Sequence, residues 1–220
     1  MKATLRDYVL SGITISIVML VTLGIVWLLR PWTLALLGDY HVLIDVLLAL
    51  GFYGVISAIV VRVLLRLKPI PPGTYDAGSW VFSYWMLLTV VYRMGEGALR
   101  PVIPFFLQPA VEALFGASVG RNVALGGTID DPYRVSLGDE VILGNASLIS
   151  GNYISAGKLT CGAVTIGAGA TIGANCVVFP NTEIGAGAVV AGGSFVMPGT
   201  RIPAGESWRG NPARKWVGPQ

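Results

Sequence analysis

One histidine, His41, stands in the whole chain of 220 residues. No zinc site built from several imidazoles is possible, so no metal is expected. A reaction needing an imidazole base has only that residue to supply it. Cysteine is almost as scarce. Cys161 and Cys176 are too few for a disulfide framework, which suits a reducing compartment. Charged residues make up 12% of the chain, about half the usual ~25% share. The net charge of +3 is spread along the chain. It argues weakly for contact with anionic lipid and leaves no nucleic-acid footprint.

What is abundant is apolar residue, at 54%, and much of it is concentrated near the start. Tyr8 to Leu29 is a run of 22 residues without a charge, enough helix at about 1.5 Å per residue to cross the ~30 Å hydrocarbon layer. Val42 to Val61 is a second run of 20, with Asp45 near one end. Lys2, Arg6, Arg62, Arg66 and Lys68 flank the pair, against Arg30 alone between them. The positive-inside rule therefore predicts a two-helix transmembrane hairpin over residues 1–68, multi-pass in the inner (cytoplasmic) membrane. The remainder of the chain, beyond the hairpin, is expected on the cytoplasmic side. Residues 69–116 read as a connector: a stiff linker at Pro69 to Gly73, then Trp80 to Tyr92, only 13 residues long and better suited to lie in the interface than to cross it. A proline-broken segment from Val102 to Phe115 completes this region, which is expected to dock and cap the C-terminal domain.

From Val119 to Ala213 the chain repeats every six residues, which is too short a period for helices and suits one side of a triangular parallel β coil. Aliphatics fall at Val119, Leu125, Leu137, Leu143 and Ile149, then at Ile166, Ile172, Val178, Ile184, Val190, Val196 and Ile202. Asp131 is the one apolar failure in the first register, and Cys176 occupies an inward corner place. Between Ile149 and Ile166 the register slips, so a segment of roughly Asn152 to Ala163 is expected to leave the coil. A second excursion surrounds Asp130, Asp131, Pro132 and Tyr133. Loops leaving a rigid wall are where binding groups are sought first.

The runs VGRNVA, LGDEVI, LGNASL, IGAGAT, IGANCV and IGAGAV, ending in WRGNPARK, resemble the hexapeptide-repeat acyltransferases. That resemblance covers about half the chain. It implies that the C-terminal domain, residues 117–220, is a left-handed parallel β-helix assembling as a homotrimer; with the hairpin, the expected fold class is an α+β membrane protein. The implied reaction carries an acyl group from acyl-coenzyme A, or from a phosphopantetheine-linked carrier protein, to an amine or hydroxyl. No tightly bound cofactor is implied. Gly210, Asn211, Pro212, Ala213 and Arg214 resemble the family's terminal turn near the nucleotide end of the coenzyme. Arg201, Arg209, Arg214 and Lys215 are candidate phosphate contacts, with Asn145, Tyr153 and Asn211 as further binding candidates. Most of the chain also resembles one C-terminal unit of the poly-lysine synthetases, which implies an amide-forming condensation with a separate carrier.

The family commonly supplies a histidine as base, and here the β-helix has none. Asn152 stands nearest to the expected position, and an amide has no useful basicity near neutral pH. Three readings stay open. Asp130 or Asp131 moves the proton; or a neutral amine attacks unaided while Asn152 and backbone amides orient it; or the chain is a silent scaffold with a membrane-bound role. Cys161 in the projecting segment has no neighbouring His or clustered cation, and reads as a bystander thiol. Glu183, beside Asn181, reads as part of a solvated coil face.

Overall fold

The computed structural model describes residues 4–217 and divides into two compact units. The first runs to Ile70 and resumes over Trp80–Phe105; the second comprises Pro71–Ser79 and the chain from Phe106. In the first unit, α1 (Leu5–Leu37) and α2 (His41–Leu67) are joined by a short 3-10 turn at Gly38–Tyr40. Asp7 begins α1 by accepting the Thr4 backbone N–H at 2.7 Å, a donor the helix itself cannot satisfy. Gly38 ends it with a φ of 55°, a conformation that costs glycine little.

The stretch Leu5–Leu67 is long and apolar enough to cross a membrane, with a mean hydropathy of 2.5 in its best window. Leu20, Leu23, Trp27 and Leu28 of α1 are all exposed within the unit.

The helix after the linker differs from expectation. It is longer than the apolar run suggests: α3 covers Trp80–Leu99, 20 residues, and buries Phe82, Tyr84, Leu88, Val91, Tyr92 and Leu99 within the helical unit, chiefly against α2. Glu96 and Arg100, whose charges suggest an end to the apolar run, pair along the helix at 2.6 Å. That neutralisation lets the apolar face continue past Arg93. Gly54 of α2 is the close point of the crossing. A Cβ there would stand 2.9 Å from the Gly95 carbonyl oxygen.

In the second unit, α4 (Gln108–Leu114) packs on the first coil, and a β-solenoid of about five turns comes after it. Its walls are three parallel sheets. One stacks Val119, Leu137, Ile166, Ile184 and Ile202 in register. The next stacks Leu125, Leu143, Ile172 and Val190, continuing to Trp208. The third stacks Ile129, Ile149, Val178 and Val196. Ala170, Cys176, Ala188 and Ser194 fill the corners and are fully buried.

The apolar failure at Asp131 has a geometric explanation. Ile129 takes the inward place and pairs with Ile149, because Gly126 and Gly127 shorten the corner before it. Asp131 lies past the strand, at the start of a 3-10 turn over Pro132–Arg134 that lengthens the next corner.

The slip after Ile149 is an antiparallel hairpin leaving the coil, Asn152–Ser155 against Lys158–Cys161. Ala156 and Gly157 make its tip with φ of 47° and 74°, the positive pair that a two-residue hairpin turn needs. The linker is only partly a spacer: Gly73–Asp76 is a strand that pairs antiparallel with Lys158–Cys161. The projecting arm is therefore a three-stranded sheet.

Candidate functional site

The root of the arm gathers the polar groups of the solenoid wall. Ile129 and Ile149 are neighbours in the third sheet, so the residues just after them, Asp130–Asp131 and Ser150–Asn152, are brought together. Gly151 donates to the Asp130 carbonyl at 3.0 Å and accepts from the Gly162 N–H at 2.9 Å. A side chain at Gly151 would meet Arg134 Cβ at 2.8 Å and Asp131 Cβ at 3.2 Å, so only glycine lets the two excursions approach.

Asp131 adopts a left-handed φ of 55° and is 2% exposed. Its backbone carbonyl accepts from Arg134 N at 2.8 Å, and its carboxylate Oδ2 accepts from Asn152 Nδ2 at 3.2 Å. Asn152 is also held through its backbone. Ser150 Oγ donates to its carbonyl at 2.8 Å and accepts from its N–H at 3.3 Å. With Nδ2 turned toward Asp131, the side-chain oxygen Oδ1 is left as the acceptor. A half-exposed amide with an oriented carbonyl can position a nucleophile's N–H or O–H but cannot keep its proton.

Three more side chains crowd this root. The Tyr133 hydroxyl is buried, and burial pushes its pKa well above the ordinary tyrosine value, with the Asp131 carboxylate adding to the rise and Arg134 opposing it. The Arg134 guanidinium lies 5.2 Å over the Tyr133 ring. Cys161 is 0% exposed, and burial pushes its thiol up to about 11, Arg134 working against the shift and Asp131 with it. A protonated thiol is a poor nucleophile. Native protein treated with iodoacetamide near neutral pH is therefore expected to leave Cys161 and Cys176 unmodified until denaturant is added, as read by peptide mass spectrometry. Rapid labelling of Cys161 in the folded chain would contradict this.

Neither Arg134 nor Ser150 stands out in the sequence, and Tyr133 is visible there only as part of the turn and not as a site residue. The signal available is the polar break at Asp131, since Leu125 to Leu137 still spans two regular six-residue steps and shows no insertion. It does not reveal which side chains turn inward.

The other candidates are placed elsewhere. Tyr153 sits on the arm next to Asn152 and packs edge-on against Phe179, ring centres 5.0 Å apart. Asn145 is exposed at a coil corner, where its carbonyl accepts from Asn175 N at 3.0 Å. The basic residues do not converge on one point. Arg201 pairs with Glu183 across the first sheet at 3.4 Å. Lys215 pairs with Glu206 at 2.5 Å, holding that carboxyl below its usual range. Arg209 and Arg214 face each other on the closing antiparallel pair, with Arg209 4.8 Å over the Trp216 ring. Asn211 is exposed in the turn between them and precedes Pro212 through a cis peptide bond.

No family model matches the chain, and no curated protein does. Solved structures do. A hexapeptide-repeat-containing acetyltransferase from Vibrio cholerae, in complex with acetyl-coenzyme A, is 23% identical over 46% of this chain and 60% of its own, with a TM-score of 0.43. Galactoside acetyltransferase in complex with coenzyme A is 18% identical over 74% of this chain and 82% of its own, with a TM-score of 0.45. A maltose O-acetyltransferase from Clostridium difficile is 22% identical over 71% of this chain and 95% of its own, with a TM-score of 0.40. The present chain spans about three fifths of the Vibrio cholerae protein's length. On its own six-residue repeat and its own three parallel sheets, the second unit of this chain is a β-solenoid of about five turns.

Proposed function

We propose that this chain is a membrane-anchored acyltransferase, moving an acyl group from a thioester to an amine or hydroxyl of an acceptor at the membrane surface. The observation that supports the reading is the Asn152–Asp131 contact at the root of the arm, which turns the Asn152 carbonyl into an oriented acceptor. Asn152 Oδ1 accepts one hydrogen of the acceptor group and aims its lone pair. The nucleophile attacks the thioester carbonyl, the carbon–sulfur bond breaks, and the sulfur leaves as a thiolate. The proton released from the attacking nitrogen or oxygen passes to water. Asp131 acts by holding the amide and not by touching the proton.

The donor is acyl-coenzyme A or a carrier-protein thioester, with Arg209, Arg214 and Asn211 at the closing turn as its phosphate contacts. Asn145, Arg201 and Lys215 are secondary candidates for the same task. α1 and α2 cross the membrane as a hairpin with the solenoid on the cytoplasmic side, and three copies assemble so that each arm reaches a neighbour. Soluble catalysis needs no such anchor, which is why the acceptor is placed at the membrane.

The test is an assay of the full chain, purified from membranes, with labelled acetyl-coenzyme A or a loaded carrier and candidate amines. The wild type is expected to transfer label, and the Asp131→Asn, Asn152→Ala double variant to lose about 10²-fold in rate while retaining the donor affinity seen by calorimetry. Absence of any donor affinity would favour the competing reading, a catalytically silent scaffold, for which the lack of histidine speaks. Native mass spectrometry reads the trimer.

A further inference from the structure

At the open end of the helical bundle, three helices each contribute one residue to a single cluster. The Arg6 guanidinium lies 5.2 Å from the centre of the Trp80 ring, and the Lys68 ammonium lies 5.3 Å from the same centre. Arg6 comes from the first turn of α1, Lys68 follows the last residue of α2, and Trp80 opens α3. The indole is 43% exposed, so the cluster faces outward. Arg6 is also fixed from behind, since both Nε and Nη2 donate to the buried Ser83 Oγ, at 3.1 and 2.6 Å. The nearest carboxylate in sequence, Asp7, accepts from the Thr4 N–H and hydroxyl and also lies within electrostatic reach of Arg6. Arg62 and Arg66 are exposed on the last turns of α2 above Lys68.

Two cations drawn to one ring lie no further apart than roughly the ~10 Å Debye length of 0.1 M salt, so each feels the other's charge. An anion seated between them is attracted by both. The cluster also has the composition expected where a helix leaves the bilayer: an amphipathic indole with basic side chains beside it, at headgroup level.

We propose that Arg6, Lys68 and Trp80 form a clamp for the phosphate of an anionic phospholipid. The proposal rests on the reading that Leu5–Leu67 spans the membrane. The phosphate is held between guanidinium and ammonium by charge-assisted hydrogen bonds, and the indole keeps both cations in place and covers the glycerol backbone. The cluster belongs to the helical unit, and its occupancy does not depend on the acyl-transfer chemistry.

The experiment is native mass spectrometry of the full chain titrated with phosphatidylglycerol or phosphatidylcholine. Phosphatidylglycerol is expected to be retained preferentially. Lys68→Gln lowers that retention about fivefold, the worth of one cation at such a surface, while Lys68→Arg keeps it. Trp80→Leu lowers it by a similar factor with the thermal midpoint unchanged. Lys158→Gln, which removes an equal charge from the arm, leaves it as in wild type. Equal retention of the two lipids, or an equal loss in Lys158→Gln, overturns the clamp. Displacement of the lipid by an equal concentration of inorganic phosphate overturns the lipid assignment and makes the occupant a free phosphate. Carbonate extraction of native membranes is read first: release of the chain would sink the spanning reading, and this proposal with it.

Discussion

Asn152→His is expected to raise the rate of acyl transfer by about 10²-fold, the lower end of what a positioned general base contributes. Asp131, which now accepts the Asn152 amide N–H at 3.2 Å, is placed to accept an imidazole N–H and turn the other ring nitrogen outward. The substitution also changes the pH profile. Wild type, with no titrating base at this position, is expected to show no inflection from it near neutrality. The histidine variant is active as the neutral imidazole, so its rate rises with pH through an inflection near or above ~6.5, the neighbouring carboxylate favouring the protonated ring. Asn152→Ala loses the oriented carbonyl and is expected to fall about 10²-fold with the donor's affinity unchanged. Steady-state kinetics of the three proteins across pH decide it. A histidine variant with no gain and no new inflection would mean that the arm root is not where the proton is handled.

Gly167→Ala is expected to be far more damaging than its size suggests, and Gly169→Asn nearly harmless. Gly167 starts a coil corner, and a Cβ there would stand 2.5 Å from the backbone N of Ala186 in the next coil. Neither backbone can move without opening the sheet between them. Overpacking of this kind costs about 1–3 kcal/mol and more where backbone must yield. Gly169 has open space around its Cβ position but a φ of 67°. Asn122 and Asn175 adopt the same left-handed conformation at other corners, with φ of 56° each, so asparagine is accommodated there. Thermal or denaturant unfolding of the two variants separates steric conflict from backbone preference. Equal losses would show that the stacked glycines are not close-packed as described.

The repeat makes most of the second unit readable in advance, because each inward place is filled by the same kind of residue and each corner by a small one. Leu137, Ile166, Ile184 and Ile202 stack as their spacing requires. The arm is legible for the opposite reason, as the place where the spacing fails. Pairing of Gly73–Asp76 with the arm is not legible, since a short polar strand after two prolines carries no periodicity and its partner lies far along the chain. Nor is the burial of α3. Its apolar run is short, and the continuation past Arg93 depends on the Glu96–Arg100 pair that hides a carboxylate against neighbouring helices.

Within the site the division is similar. Asn152 and Asp131 emerge separately, one as the residue at an expected histidine position, the other as a break in the repeat. Their hydrogen bond is not deducible from either, and Arg134 is invisible because nothing in its spacing sets it apart from any surface arginine. By itself the sequence determined the solenoid, its apolar columns, the exit point of the arm and a stretch apolar enough for a membrane, since all of these depend on which residues recur and at what period. Only the tertiary structure decided that Ile129 displaces Asp131 from the core, that Asp131 then turns the Asn152 amide, and that the basic residues of the last coils are divided among separate partners. A period describes one strand at a time, whereas these contacts join side chains from different coils whose approach depends on where glycine leaves room.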